Sequence, residues 1–400
     1  MGPLDWDPGS LAVDPDPHAT LAWVRSGGSV RPLTSSFWVV TGHAAALEVL
    51  RHPDVRSAPV GDVYASLLPP GAARDEMVHR INFLDPPDHP RVRGLVSTAF
   101  TPRRVQAVRP WVEDTARRLL DGIEARLDRL DGTVDLLAEF AHQVPSLVIS
   151  ELLGVPAEDR DELTAFSDAV SPLLSVRVDP DDLAAAVAAA ESFHRYLAAL
   201  VEDRRERPGD DLLSALCVAE EHGERLSMPE LLSLTATLYS AGHRTTRDLV
   251  TNGLAALLED PDRYRRVVDG SWSVTDTVGE FLRTQTPTLY VARVTATDCE
   301  FDGTAVPAGA PVLVFLAAAN RDPAVHAEPD EFAPGRDGPQ PLSFAFGAHY
   351  CLGANLARLE AEVMLASVCE RWPDLEQAEV PTWHQRGPFR GVDRLLVRPR

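Results

Sequence analysis

Residues 341–368 read PLSFAFGAHYCLGANLARLEAEVMLASV. A single cysteine, Cys351, stands between Gly347 and Gly353, just ahead of a stretch in which Leu356, Leu359, Val363 and Ala366 recur at helical spacing. A sulfur placed before a helix start faces backbone N–H groups without intrahelical partners and the positive end of the helix dipole, which favours its thiolate form. Gly347 and Gly353 lack Cβ atoms, so the backbone there can lie close to a flat ligand or bend sharply. A free cysteine is also a good small core residue. The loop on its own leaves both readings open.

Outward from this loop the chain reads mostly as helix. From 103 to about 265 the helical period runs almost without a break, through VEDTARRLLDGIEARLDRL, then DDLAAAVAAAESFHRYLAALVEDRRERPG and MPELLSLTATLYSAGHRTTRDLVTNGLAALLED, with Pro or Gly at most ends. In the helix expected over 229–258, Leu231, Leu234, Leu238, Ala241, Thr245 and Leu249 fall on one stripe. SSFWVV (35–40) alternates and is rich in β-formers, and HAAALEVLRHP after it turns helical, so a small sheet is expected near the amino terminus. Short strands return at 288–317, where EFDGTAVPAGAPVLVFLAAA reads as two runs with glycine-bearing turns, and RLLVRPR makes a terminal strand. No internal repeat or Gly/Ser linker divides the chain, so one domain over 1–400 of mainly α (α+β) class is expected.

The chain carries 38 Lys+Arg against 60 Asp+Glu, a formal charge of -22. That balance excludes wholesale binding to nucleic acid or to an anionic membrane, and neither is expected as a partner. No lysine occurs, so every cation other than His is Arg, a pattern that points to coding bias before function. Cysteines at 217, 299, 351 and 369 are too scattered for a disulfide framework and include no C-x-x-C pair for zinc. The opening MGPLDWDPGSLAVDPDP has neither a positive n-region nor a long apolar run, so a soluble, cytoplasmic protein is expected. Motifs of rival enzyme classes, G-x-S-x-G, G-x-x-x-x-G-K-[ST], G-x-G-x-x-G and H-E-x-x-H, are absent.

Phe344, Gly347, His349, Cys351 and Gly353, followed by Ala357 and Arg358, resemble the haem-binding signature F-x-x-G-x-H-x-C-x-G of the cytochromes P450. Ala345 stands where that family often has a further Gly. The resemblance implies that Cys351 is the ligand of the iron of haem b (iron protoporphyrin IX) and that His349 helps to hold a propionate. A thiolate ligand pushes electron density onto iron and favours O–O cleavage. Glu280 and Arg283 sit three apart on an expected helix, a common and weak pairing on its own. They resemble the family's E-x-x-R, with Arg336 as third member of a triad that braces the cysteine loop. His89 and Arg93 in DPPDHPRVR, and Arg293 in YVARV, match the family's propionate-binding positions. A bidentate guanidinium suits a carboxylate, and three cationic sources would offset its burial.

The segment AGHRTT, Ala241 to Thr246, resembles the family's A-G-x-(D/E)-T-T oxygen-binding motif. Thr245 then handles the oxygen. Its hydroxyl could equally bond back to the preceding turn, and Ala241-Gly242 could serve close packing. Arg244 occupies the place of the acid, and a guanidinium has donors only, so it cannot relay protons as a carboxylate does. Two roles stay open for it: pairing with Asp248 one turn on, or binding an anionic group of the substrate.

The resemblance covers nearly the whole chain and implies a helical triangular prism with small β-sheets. It implies a monooxygenase that inserts one oxygen atom from O2 into an organic substrate, with electrons from a separate ferredoxin and ferredoxin reductase, no fused reductase being expected. Arg103 and Arg104 are candidates for docking an acidic ferredoxin, though a solvated face explains such a pair as well. The substrate expected by analogy is a small molecule or carrier-bound group of secondary or antibiotic metabolism, such as a polyketide, a peptide or a carrier-protein-bound acyl group. Residues 57–80, 165–185 and 287–292 are expected to shape its pocket, and the protein is expected to be a monomer. Two alternatives remain: a peroxide-using or otherwise atypical member in which Arg244 binds a substrate carboxylate, and a haem-based binding or sensing protein without turnover.

Overall fold

Local signals at helix starts fix the main elements before any packing is considered. The computed structural model describes residues 17–33, 37–174, 178–220 and 223–399. Its longest helix, Met228–Leu258, opens on a capping box: Ser227 N donates to the Glu230 carboxylate at 2.8 Å and Glu230 N donates to Ser227 Oγ at 3.4 Å. Helix Pro180–Glu206 opens on Asp179, whose side chain accepts from Asp181 N, with Pro180 in the first turn. Helix Val274–Thr284 repeats the device at its own start, with Ser273 Oγ accepting from Asp276 N at 3.0 Å. Helix Ala354–Arg371, the cysteine helix, begins at Gly353 with no side-chain cap.

The described residues pack as two compact units. The first contains the residues up to Val55, Arg109–Val144 and those from Thr245 on. Here strand Val30–Pro32 runs antiparallel to Trp38–Val40, which lies parallel to Pro311–Val314, itself antiparallel to Val291–Thr295. The expected amino-terminal strands, Val291–Thr295 and Pro311–Val314 therefore belong to one five-stranded sheet, whose fifth strand is Val55–Arg56, while Cys299–Phe301 and Thr304–Val306 pair as a separate hairpin. Positions 35 and 36 of the expected first strand, and 175–177 of one pocket segment, lie outside the described residues. Leu316–Ala319 departs from the expected strand and forms a buried helical turn, as three consecutive alanines favour once the sheet ends at Val314. Val40, Ala46, Val49, Phe301, Val312, Val314 and Leu342 form a core beneath the sheet. Strand Leu396–Pro399 closes a second sheet between Val134–Asp135 and Leu375–Gln377.

The second unit contains Arg56–Val108 and Pro145–Arg244. Ala65, Met77, Leu173, Ala186 and Ala190 supply its core. A buried charge cluster lies beside it: Glu76 pairs with Arg80 at 2.5 Å and with His194 at 3.2 Å. The boundary between the units falls inside the long helix, between Arg244 and Thr245.

Two expectations about apolar stripes need correction. On the long helix Leu231, Leu234 and Leu249 are buried, but Ala241 is exposed and Thr245 half-buried, so the stripe leaves the core at mid-helix. On the cysteine helix Ala366 is exposed while Glu360, on the face of Leu356 and Val363, is buried. Periodicity locates a face, whereas what covers each turn of it is decided by the neighbouring elements.

Candidate active site

Cys351 ends a tight loop braced by hydrogen bonds within it. Its N–H donates to Phe344 O at 3.0 Å, Tyr350 N donates to Gly347 O at 3.0 Å, and Ala345 N donates to Leu342 O at 2.7 Å. Of the four cysteines, Cys299 and Cys369 are buried and Cys217 is half-buried, while Cys351 is exposed. It stands just before the amino end of the cysteine helix, where oriented N–H groups favour an anion. Gly347 is required by its surroundings: φ is 76° and a Cβ there would fall 2.6 Å from Leu50 O. At Gly353 a Cβ would meet only Cys351 Sγ, at an ordinary contact distance of 4.0 Å.

Behind the loop lies an ion pair sealed from water. Glu280 and Arg283 are 3% and 2% exposed, and one edge of the guanidinium binds both carboxylate oxygens, Nε to Oε2 at 2.8 Å and Nη2 to Oε1 at 2.7 Å. Arg336 Nε lies 3.4 Å from Glu280 Oε1, and Ala333 N donates to the same oxygen at 2.8 Å. Arg283 Nη1 donates to Asn320 O at 3.2 Å, and Asn320 in turn holds the loop, donating to Ser343 Oγ at 2.7 Å and accepting from Leu342 N at 2.6 Å. The expected brace is thus continuous from Glu280 to the cysteine loop. Asn320 is the link that sequence reading missed, because no spacing marks a residue that bridges two segments through its amide.

The remaining candidates lie on regular elements. In the second unit His89 is buried and Arg93 half-buried, both on helix Asp88–Ala99, and His89 N donates to Asp85 O at 3.0 Å. In the first unit Arg293 is buried on strand Val291–Thr295, with Nη1 donating to Ala292 O at 2.7 Å, and His349 is half-buried at the end of the turn Gly347–His349. Gly242 packs closely, since a Cβ would lie 3.2 Å from Ile149 Cγ1. Arg244 and Thr245 are half-buried. Asp248, a possible partner of Arg244, pairs with Arg247 at 2.7 Å. Thr246 is buried and hydrogen-bonded to Glu360, whose carboxyl is held well above the ordinary carboxylate range by burial, with the threonine bond working the other way. Glu360 was legible in hindsight, since it falls one turn after Leu356 in the apolar face.

A sequence profile described as Cytochrome P450 matches residues 29–269 and 273–381. The chain belongs to the cytochrome P450 family. It is 38% identical over 394 residues to the vitamin D(3) 25-hydroxylase of Pseudonocardia autotrophica, covering 96% of this chain and 93% of that one. Among solved structures it is similar to P450BioI in complex with hexadec-9Z-enoic acid ligated acyl carrier protein, with a TM-score of 0.86, 28% identity and coverage of 98% and 100%. It is also similar to the LnmA hydroxylase of the leinamycin biosynthetic pathway of Streptomyces atroolivaceus S-140, with a TM-score of 0.83, 33% identity and coverage of 95% and 96%.

The fold is that of the family, and the protein is a cytochrome P450 monooxygenase. Membership implies a haem cofactor, and the donor set fits one: an exposed cysteine sulfur at a helix start for the iron, with imidazole and guanidinium side chains for carboxylates. No helix among the described residues is long and apolar enough to cross a membrane.

Proposed function

We propose that this P450 binds haem b through Cys351 and hydroxylates or epoxidises a small-molecule or carrier-bound acyl substrate of secondary metabolism. The observation that carries the ligand assignment is the exposure of Cys351 alone among the four cysteines, ahead of a helix start. When bound, the haem supplies the metal centre at which O2 is reduced and split. The chain's own residues do the rest. Cys351 holds a negative charge that the helix start stabilises. His349, His89, Arg93 and Arg293 neutralise the two propionates. Thr245 offers a hydroxyl that donates one hydrogen bond and accepts another, the minimum needed to hold a proton in place.

Arg244 binds an anionic group on the substrate, whose carboxylate, or a water held by it, takes over the acid–base work of the missing side chain. Arg103 and Arg104 serve a ferredoxin that, with its reductase, delivers the electrons; the Arg104 side chain is 42% exposed. The carrier-bound acid of P450BioI and the pathway of LnmA support the substrate class. The family profile runs through both compact units, which supports one domain over 1–400, and a cytoplasmic location completes the reading.

Two measurements test it. The reduced protein is expected to bind carbon monoxide with the far-shifted Soret absorption of a sulfur-ligated haem, and Cys351→Ser to abolish that band; a band that survives the substitution overturns the assignment. Turnover by wild type and Arg244→Ala, with oxygen plus reductase and separately with peroxide, is expected to fall in at least one system, and unchanged rates in both would remove Arg244 from the mechanism.

A further inference from the structure

The cysteine loop contains a residue in a conformation that its side chain opposes. Ala345 has φ 57° and ψ −158°, a region open to glycine and strained for any residue with a Cβ. Such a residue persists only where its surroundings over-determine it. Its two neighbours are phenylalanines, and each carries a guanidinium on its ring: Arg51 lies 4.2 Å from the Phe346 centroid and Arg358 4.7 Å from that of Phe344. Among the described residues no carboxylate pairs with Arg51, so its cation is spent on the ring. Arg51 ends helix His43–Arg51, and the same helix end presses on the loop from behind, since Leu50 O occupies the space a Cβ at Gly347 would need. Phe344 also accepts the Cys351 N–H, so a shift of its ring and carbonyl is a shift of the cysteine.

We infer that Arg51 is a positioning residue for Cys351, acting with Arg358 to clamp the loop on both sides of the strained Ala345. This rests on the reading of Cys351 as the iron's ligand. The helix end and the two stacked cations hold a backbone that would otherwise relax at residue 345 and let the sulfur drift from its place. Cation–π contacts at exposed sites are small, so the effect is a bias in an equilibrium between held and released sulfur.

A double-substitution cycle on the haem-loaded protein decides the matter, with the reduced carbon monoxide spectrum read at one mild urea concentration and the midpoint potential read in its absence. Arg51→Leu is expected to increase the fraction lacking the far-shifted band by roughly two- to fivefold, and Arg51→Lys, which can still stack, by less. In an Ala345→Gly background the loss from Arg51→Leu is expected to shrink below about twofold, because no strain is left to hold. The midpoint potential is expected to move with Arg51→Leu only in the Ala345 background. Equal losses in both backgrounds, or none in either, overturn the clamp while leaving the ligand assignment intact. A wild type without the band overturns both.

Discussion

Ala345 shows what one side chain can cost. Replacing it with glycine removes the steric conflict at a left-handed φ, and Ala345→Gly is expected to stabilise the fold by about 1–2 kcal/mol, read as a higher urea midpoint at unchanged slope. Glu360 is the opposite kind of residue, a carboxyl whose burial keeps it protonated. Its pKa in the fold is raised above the unfolded value, so the stability it allows is fully present below the ordinary carboxylate pKa and is lost as pH rises towards the folded value. Within that window each pH unit costs about 1.4 kcal/mol. Glu360→Gln keeps the shape and loses the titration, so its melting temperature is expected to gain on wild type as pH rises above the ordinary carboxylate pKa; a difference that does not change with pH would contradict the burial of a neutral acid.

At the scale of elements, helix Val274–Thr284 exists for local reasons and matters for a distant one. Ser273 caps it, and Phe281 and Leu282 bury one face. Its Glu280–Arg283 pair then reaches the cysteine loop through Asn320. An ion pair removed from water gains little over an apolar contact of equal volume, but breaking it leaves a charge uncompensated. Glu280→Gln is accordingly expected to destabilise the protein by about 3–5 kcal/mol and to yield mainly haem-free chain, measured by unfolding and by haem absorbance per protein. Asn320→Ala, which cuts the link but spares the pair, is expected to cost less in stability and to act first on the carbon monoxide spectrum. Were both variants to retain full haem loading, the brace would have no role at the loop.

At the scale of the molecule, both compact units are discontinuous in sequence, and the chain crosses between them four times, after residues 55, 108, 144 and 244. The last crossing lies inside one unbroken helix, so melting either unit alone would cut that helix mid-length. A single unfolding transition is therefore expected, with far-ultraviolet circular dichroism and haem absorbance changing together, and two separated transitions would speak for independent domains.

Much of this protein was settled by sequence alone. The helix period at 229–258 and the three-residue spacing of Glu280 and Arg283 act over a few residues, and residues near in sequence meet whatever the rest of the chain does. Tertiary structure alone decided that Glu360 and not Ala366 would be buried, that Asn320 would carry the brace, and that Arg51 would stack on Phe346. Each of those outcomes depends on which surface a distant segment brings to the helix or loop, and periodicity or spacing within one segment carries no record of its neighbours.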